Sequence, residues 1–320
     1  MRSTAQAIHK HLINANKTVI IPHPHPDEDA LGSTAAMTEY LKNHDRETVV
    51  FCQTPLDERL KFLPNLPEFT ADPGVFRDPN LDTILFLDCG DPRYAGAADF
   101  IVNHTAAIIN IDHHITNENY GHLNMVMPEA SATAEIIYLF FKHNNLPVSR
   151  PMATNLLAGL IGDTGNFTNA ATRPSSLIIS GELLRLGADI GRVNFNLQKN
   201  KSLNLYKLWG AALSRLNKNE ATGLAHTYLK QADYATLGLD ESGGDGLSDF
   251  MNNLDDAKIS LVLKETNDGK VKGSFRTTDD QADVAAMARQ LGGGGHKKAA
   301  GFTTEGTIEE VLDRILTADE

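Results

Sequence analysis

Residues 18–29 read Thr-Val-Ile-Ile-Pro-His-Pro-His-Pro-Asp-Glu-Asp and join an apolar run to a dense polar cluster. The run at 18–21 is typical of a strand that is buried on both faces. Two imidazoles and three carboxylates follow within residues 23–29, where Pro24 and Pro26 stiffen the backbone. Burying this much charge is costly unless a cation lies between the carboxylates, which favours a metal site. A solvated acidic turn that caps the next helix explains the stretch equally well when it is taken alone.

Two more apolar runs end in acidic or histidine residues. Residues 82–87 read Asp-Thr-Ile-Leu-Phe-Leu and precede Asp88, while residues 107–111 read Ala-Ile-Ile-Asn-Ile and precede Asp-His-His at 112–114. Continuous apolar strands that alternate with helices predict an α/β domain with a parallel sheet and helices on both faces. A fourth strand is expected at 48–51. Helices are expected at 29–43, 131–144, 151–162 and 174–186.

The polar clusters lie where parallel sheets bind their ligands, beyond the carboxyl ends of the strands. His23, Asp27 and Asp29 follow the first predicted strand, Asp88 follows the third, and residues 112–114 follow the fourth. We therefore expect the three clusters to meet at one edge of the sheet.

Histidine and carboxylate ligands without a thiolate suit Mn²⁺, Mg²⁺ or Zn²⁺. Asp88 stands alone after a central strand and is the natural candidate to bridge two cations. Paired cations about 3.5–4 Å apart would activate a water and hold a phosphoryl oxygen. The remaining ligands would be His23 and Asp27 for one ion, and Asp29, His113 and Asp163 for the other.

Other polar residues near these clusters have simpler explanations. We expect His25 to lie on the surface or to line the substrate site rather than to bind metal. Glu28 is expected to face solvent at the start of a helix, where its charge suits the helix dipole. Ser131 and Thr133 open the helix at 131–144, so we interpret both as caps.

The pattern changes after Gly187, which predicts a second domain. We expect a catalytic domain at 1–187, a connector with little helical periodicity at 188–201, and a smaller α/β domain with a mixed sheet at 202–320. Strands of the second domain are expected at 222–229, 259–265 and 271–276, followed by a helix at 283–291, a run of four glycines and a final helix at 307–317.

Composition narrows the classes of function. A net charge of −12 argues against a protein that coats long nucleic acid, although it permits an enzyme with a local nucleotide pocket. No apolar run approaches the ~20 residues that span a bilayer, so no membrane association is expected. The two cysteines, Cys52 and Cys89, lie near predicted buried strands and fit the reducing cytoplasm.

The motifs together resemble the DHH family of phosphoesterases. The resemblance rests on His23-x-x-Pro-Asp-x-Asp-Ala-x-Gly-Ser33, on Leu87-Asp88, on Asp112-His-His114 and on Gly162-Asp-Thr-Gly165. The second half resembles the C-terminal domain associated with that family, through Gly-Ser-Phe-Arg at 273–276 and the glycine run that begins at Gly292 and ends in His-Lys-Lys-Ala-Ala-Gly. Within the family, the chain resembles the bacterial nanoRNase and pAp-phosphatase type over nearly its whole length.

The resemblance implies a role for each matched residue. Two divalent cations, with Mn²⁺ favoured over Mg²⁺, are expected to bind to His23, Asp27, Asp29, Asp88, His113 and Asp163. His114 is expected to face the substrate phosphate as a catalytic residue beside Asp88, and Asp112 to orient a histidine. The nucleotide is expected to contact Arg276, Gly293, Gly294, Gly295 and His296, in a glycine loop that lets backbone amides approach phosphate oxygens.

The resemblance implies a two-metal phosphodiesterase whose active site lies in the cleft between the domains. The expected substrates are short RNA or DNA oligonucleotides, hydrolysed to 5′-mononucleotides, and 3′-phosphoadenosine 5′-phosphate. Hydrolysis of cyclic dinucleotides or of their linear products is the alternative, and a non-catalytic nucleotide sensor is a third reading. No binding to long duplexes is expected, and a homodimer is compatible with the sequence.

Overall fold

The computed structural model describes residues 1–101, 104–199 and 202–317. The chain divides into two compact units, Met1–Asn200 and Lys201–Glu320. None of the helices in these described ranges is both long enough and apolar enough to cross a membrane.

The first unit is built around a six-stranded sheet in which every neighbouring pair of strands is parallel. The strand order is β3-β2-β1-β4-β5-β6. The strands are β1 (Lys17–Pro22), β2 (Glu47–Phe51), β3 (Phe69–Thr70), β4 (Leu81–Leu87), β5 (Ala107–Asp112) and β6 (Leu123–Val126). The predicted parallel α/β domain is confirmed, and the two short edge strands β3 and β6 are additions to it.

Seven α-helices and three shorter helical segments surround this sheet in the described part of the first unit. The α-helices are α1 (Arg2–Leu12), α2 (Glu28–Lys42), α3 (Ala98–Ile101), α4 (Thr133–His143), α5 (Arg150–Asp163), α6 (Pro174–Arg185) and α7 (Ile190–Asn194). The others are 3₁₀ turns at Glu58–Leu60 and Pro73–Arg77 and a π-helical segment at Phe195–Lys199.

Both faces of the sheet are buried, which explains why its strands read as continuous apolar runs. Ile20 and Leu85 pack into the core that α1, α2, α4 and α5 share. Val19 and Phe86 point the other way, into a second core with Phe76 of a 3₁₀ turn. Successive strand residues alternate between the two faces, so a strand covered on both sides needs apolar residues at every position.

The strand order places a topological switch point between β1 and β4. From β1 the chain passes to β2 on one side, whereas from β4 it passes to β5 on the other. The loops that follow β1 and β4 therefore leave the sheet in opposite directions and open a crevice at its carboxyl edge. Residues 23–29 and Asp88 lie at this crevice.

The second unit contains a mixed sheet, as predicted. Its strand order is β11-β12-β10-β9-β8-β7, with β8 and β9 parallel and the other pairs antiparallel. The strands are β7 (Asn217–Asn219), β8 (Leu224–Leu229), β9 (Ile259–Glu265), β10 (Val271–Arg276), β11 (Gly294–His296) and β12 (Ala299–Thr304). The helices are α8 (Leu203–Leu213), α9 (Gln231–Leu237), α10 (Leu247–Met251), α11 (Val284–Gln290) and α12 (Ile308–Thr317), with a 3₁₀ turn at Glu241–Gly244.

The predicted connector at 188–201 differs from the structure, because residues 190–199 are helical. The Asp189 carboxylate caps α7 by accepting a hydrogen bond from the Arg192 backbone N–H at 2.9 Å. Val193 is fully buried in the core of the first unit. A five-residue helix shows too little of the helical period to be read from sequence, so its cap and its single buried residue were missed.

Helices α2 and α5 pack with almost no space between their backbones. A Cβ atom added at Gly32 of α2 would lie 2.3 Å from the backbone oxygen of Asn155 in α5. We predict that Gly32→Ala destabilises the first unit by about 1–3 kcal/mol, because one helix must shift. Urea denaturation followed by far-UV circular dichroism measures the change.

The matched control is Gly181→Ala in α6 of the same unit, where an added Cβ meets nothing within 4 Å. There, alanine should stabilise the helix by about 0.5–1 kcal/mol. Equal stability of the two variants would contradict the close packing of α2 on α5.

Candidate metal centre

The structure brings six predicted ligands together beyond the carboxyl ends of β1, β4 and β5. Within each of three groups, one nitrogen or oxygen atom per residue lies within 4.8 Å of the others. The groups are His23, Asp27 and Asp88; Asp29, His113 and Asp163; and Asp88, His113 and His114. Asp88 and His113 each belong to two groups, so the groups form one continuous cluster.

His23 faces two carboxylates across a gap that is too wide for a good hydrogen bond. Its Nε2 lies 3.6 Å from Asp27 Oδ1 and 3.5 Å from Asp88 Oδ2. Its Nδ1 lies 2.9 Å from the Pro24 carbonyl oxygen and donates to it, which leaves Nε2 as the ring nitrogen that faces the carboxylates. Ligands of a single cation at metal–ligand distances of about 2.1 Å stand about 3.0–3.6 Å apart, so this spacing fits a shared ion.

The second group has the same kind of spacing. His113 Nε2 lies 3.3 Å from Asp163 Oδ2 and 3.5 Å from Asp88 Oδ1. Asp88 thus presents Oδ2 to His23 and Oδ1 to His113. A carboxylate with one oxygen toward each histidine has the geometry needed to bridge two cations.

The backbone of Asp88 is in the left-handed region, with φ of 55°. This conformation is uncommon for a residue other than glycine and costs free energy. The Asp88 N–H still continues the sheet by donating to the Ile111 carbonyl oxygen at 3.0 Å. The chain therefore turns sharply directly after β4, and the residue Asp88 as a whole is only 2% exposed.

Asp27 takes both of the roles that the sequence left open. Its Oδ1 accepts hydrogen bonds from the backbone N–H groups of Asp29 and Ala30, both at 3.0 Å, and so caps α2. The same carboxylate faces His23 in the first group. Capping fixes the direction of the side chain and leaves an oxygen lone pair available for a cation.

The first turn of α4 holds two of the acidic residues. The backbone N–H groups of Thr133 and Ala134 donate to the Asp29 carboxylate at 2.6 Å and 2.8 Å. The Thr133 hydroxyl donates to Asp88 Oδ1 at 2.9 Å. The partial positive charge of a helix N-terminus favours a carboxylate at this place.

Thr133 is the residue that sequence reasoning missed. We interpreted it as a cap of its own helix, but the cap position is Ala132, and no side-chain hydrogen bond caps α4 there. The Thr133 hydroxyl instead reaches a carboxylate 45 residues away in the sequence. A threonine at the start of a helix carries no sequence signal that distinguishes these two roles.

The carboxylates of the cluster are buried close together and repel one another, which raises the pKa values of Asp29 and Asp163. Burial, together with the charges of Asp88 and Asp163, raises the pKa of Asp29 well above its ordinary value. Burial and the charges of Asp88 and Asp27 raise the pKa of Asp163 to about 8. Burial alone would lower the pKa of His23, but the carboxylates of Asp27 and Asp88 raise it to about 11. Such a site retains protons until cations replace them, so the donor set fits divalent metal ions.

Asp112 is fully buried and orients His114. The His114 Nδ1 donates to Asp112 Oδ1 at 2.7 Å, and the Asn117 amide donates to Asp112 Oδ2 at 2.6 Å. The hydrogen bond to Asp112 raises the pKa of His114 above its ordinary value. The His114 side chain is 45% exposed, so its Nε2 edge is accessible from solvent.

The predicted substrate residues of the second unit lie on β10 and on the chain at 293–296, which includes β11, and these two strands flank β12. Arg276 ends β10, and its Nε donates to Asp249 Oδ1 of α10 at 2.8 Å. The predicted glycine loop is wrong in form over its last three residues, because Gly294–His296 is strand β11 and pairs with β12.

The structure gives a packing reason for two of the glycines in this run. A Cβ atom at Gly293 would lie 2.1 Å from the Gly301 backbone oxygen, and one at Gly295 would lie 2.6 Å from the Ala300 Cα. Gly294 has open space around it, and His296 is exposed. Glycine is therefore required at 293 and 295 for close approach to β12, whatever the ligand.

Comparisons with known proteins agree with this architecture. The family model described as "DHH family, N-terminal domain" matches residues 17–160, and the DHHA1 domain model matches residues 232–318. A Thermus thermophilus protein named bifunctional oligoribonuclease and PAP phosphatase NrnA is 32% identical over 303 residues, which span 93% of this chain and 88% of that protein. The chain belongs to the DHH family. The resemblance drawn from the motifs is thereby confirmed.

Two further relatives of this DHH protein extend the comparison. A Listeria monocytogenes protein named cyclic-di-AMP phosphodiesterase PdeA is 25% identical over 337 residues, which cover 99% of this chain but 49% of that protein. The crystal structure of an exopolyphosphatase-related protein from Bacteroides fragilis superposes with a TM-score of 0.88 at 23% identity, over 99% of this chain and 95% of that one. This last likeness shows the shared fold.

The Thr133 hydroxyl provides a test of how the acidic residues are held. We predict that Thr133→Val lowers the affinity for Mn²⁺ by about 10–100-fold, because Asp88 loses its buried hydrogen-bond donor. Thr133→Ser keeps the hydroxyl and should bind Mn²⁺ nearly as the wild type does. Isothermal titration calorimetry measures both affinities. Equal affinity of the valine variant and the wild type would refute the role of Thr133.

The raised pKa of Asp163 predicts an unusual pH dependence for metal-free protein. A group whose pKa is raised in the folded state contributes stability that is fully present at a pH below its unfolded-state pKa. For Asp163 this contribution is lost as the pH rises through the folded-state pKa of about 8. In EDTA, Asp163→Asn should therefore match the wild type at low pH and exceed its melting temperature near pH 8. With Mn²⁺ the order should reverse, because the variant lacks a ligand. A metal-free variant that melts below the wild type near pH 8 would contradict the repulsion.

Proposed function

We propose that this DHH protein is a metal-dependent phosphodiesterase that hydrolyses short oligonucleotides to 5′-mononucleotides. The observation that carries the proposal is the Asp88 carboxylate, which presents one oxygen to His23 and the other to His113 at 3.5 Å each. This arrangement suits two neighbouring cations, and paired cations are the usual apparatus of phosphoryl-transfer hydrolases. The Thermus relative, whose name includes oligoribonuclease, supports the choice of substrate.

Each cation has a set of protein ligands in this proposal. His23, Asp27 and Asp88 would hold one ion, and Asp29, Asp88, His113 and Asp163 would hold the other. Nitrogen and carboxylate donors without thiolates favour Mn²⁺ or Mg²⁺ over softer metals. When bound, the cations supply the electrophilic assistance and the water activation of a two-metal site.

The residues of the chain orient the site and donate to the substrate. Asp112 keeps the proton of His114 on Nδ1, since a carboxylate can only accept. The raised pKa of His114 favours the doubly protonated ring, in which Nε2–H can donate to a phosphate oxygen while Nδ1–H stays on Asp112. The Thr133 hydroxyl holds Asp88 in place while the substrate binds.

The second unit would bind the rest of the nucleotide in this proposal. Arg276 carries a planar guanidinium that can pair with a phosphate through two parallel hydrogen bonds. Its contact with Asp249 orients the group. Strand β11 is an edge strand, so N–H groups on its unpaired side could donate to an anion, and His296 at its end is exposed. The position of the active site between the two domains stays a prediction.

Two other hydrolytic activities and one non-catalytic role are the alternatives for the same centre. Removal of the 3′-phosphate from 3′-phosphoadenosine 5′-phosphate is supported by the name of the Thermus relative. Hydrolysis of cyclic dinucleotides is supported less well, because this chain spans about half the length of the Listeria relative. A non-catalytic sensor is the weakest of the three, since all six candidate ligands meet at the site.

The proposal predicts that Asp88→Asn abolishes both metal pairing and hydrolysis. The change removes the charge of the shared carboxylate but keeps its shape, so the rate should fall by more than the roughly 10–100-fold that is typical when a residue that only orients a metal ligand is changed. Purified protein with Mn²⁺ should be assayed on a labelled diribonucleotide, 3′-phosphoadenosine 5′-phosphate and cyclic di-AMP.

Asp91→Asn is the matched control, because Asp91 lies three residues away and forms a surface ion pair with Arg93 at 2.7 Å. This variant should keep the wild-type rate. If the wild type turned over none of the three substrates, the proposed enzyme would be ruled out. An active Asp88→Asn variant would rule out the bridging role alone.

A further inference from the structure

A cavity of about 530 Å³ lies beside the metal centre within the first unit. Asp27 lines the cavity and also faces His23, so the two sites share a wall. The apolar part of the lining comes from three separate segments, the turn after β1, the chain that follows β2 and the π-helical segment. It consists of Pro26, Pro55, Leu56, Leu60 and Leu197.

The charged part of the lining is acidic. Asp27, Glu28 and Asp57 contribute three carboxylates, whereas Arg59 contributes one guanidinium, which is paired with Asp57 at 2.6 Å. Such a lining repels a phosphate group. It suits an uncharged ligand that has flat apolar faces and hydrogen-bond donors on its edge.

Glu28 is only partly exposed, whereas the sequence suggested that it faces solvent. It is the first residue of α2 and packs against α5, where a Cβ at Gly162 would lie 3.0 Å from the Glu28 Cβ and 3.1 Å from its Oε2. Gly162 therefore leaves the space that this side chain occupies. A partly desolvated carboxylate makes stronger hydrogen bonds than an exposed one.

The backbone next to the cavity is held in an uncommon conformation. His25 has φ of 52°, and its N–H donates to the Thr54 hydroxyl at 2.6 Å. Residues other than glycine adopt this region at a cost, and such strain tends to occur at ligand sites. The hydrogen bond to Thr54 fixes the turn, so that the wall between the cavity and the metal centre is formed before a ligand binds.

We propose that this cavity binds the nucleoside whose phosphate lies at the metal centre, and that Glu28 accepts a hydrogen bond from an exocyclic amino group of its base. This assignment rests on the proposed phosphodiesterase function, and it adds a preference for certain bases to that function. A base can place its faces against the prolines and leucines and its edge against the carboxylate. Adenine, guanine and cytosine carry an exocyclic amino donor. Uracil has no amino group, and the two carbonyl oxygens that flank its N3–H donor would be repelled by Glu28.

The first experiment measures hydrolysis. In the presence of Mn²⁺, the wild type should hydrolyse a diadenylate with a kcat/KM about tenfold higher than that for a diuridylate, which is the effect expected of one hydrogen bond to a charged group. Glu28→Gln should reduce the ratio to about one, because an amide can donate to uracil as well as accept from adenine. Glu58→Gln is the control, because Glu58 is exposed and paired with Lys61 at 2.6 Å, and it should keep the tenfold ratio.

The second experiment separates the pocket from catalysis. Adenosine and uridine carry no phosphate, so their binding to metal-free protein, measured by calorimetry or by NMR, tests the cavity alone. Adenosine should bind to the wild type about tenfold more tightly than uridine does. The Glu28→Gln variant should bind the two nucleosides with equal affinity. Equal binding of both nucleosides to the wild type would overturn the pocket assignment even if dinucleotides are hydrolysed. Absence of hydrolysis together with selective nucleoside binding would overturn the proposed function and leave the pocket intact.

Discussion

Repulsion between buried carboxylates is the constraint on which the first unit depends. Asp29 is fully buried, Asp88 is nearly so, and both lie close to Asp163 and Asp27. Isolated carboxylates at this depth would cost several kcal/mol each. In the metal-free chain, part of this cost is offset by backbone N–H groups at the start of α4, by the histidine side chains and by protonation of the carboxylates. Divalent cations would offset this cost more completely, which would give the site an affinity for metal ions.

The fold delivers these groups to one place by simple means. Parallel strands end at a common edge, and the strand order separates the loops after β1 and β4. The left-handed turn at Asp88 directs one side chain toward histidines from two other segments. Thr133 then links the Asp29 and Asp88 carboxylates through its N–H and its hydroxyl. Because one helix end holds two carboxylates from different motifs, a small shift of α4 would displace both of them together.

Much of this arrangement could be predicted from the sequence. Continuous apolar runs, which are typical of strands covered on both faces, identified four of the six parallel strands. The polar residues that directly follow three of these runs identified the sheet edge where His23, Asp88 and His113 meet. The contribution of Thr133 could not be predicted, since its partner is 45 residues distant and a helix-start threonine usually caps its own helix. The helical segment at 190–199 was too short to show its period. The partial burial of Glu28 could not be predicted either, because it depends on Gly162, a contact between α2 and α5 that no local pattern reveals.

A titration of metal-free protein with Mn²⁺, followed by electron paramagnetic resonance, tests the central claim most directly. A carboxylate that presents one oxygen to each histidine should hold two ions about 3.5–4 Å apart, close enough for their spins to couple. We predict that two Mn²⁺ bind per chain and that the second equivalent produces an exchange-coupled spectrum. Saturation at one uncoupled ion per chain, or no binding, would contradict the paired site.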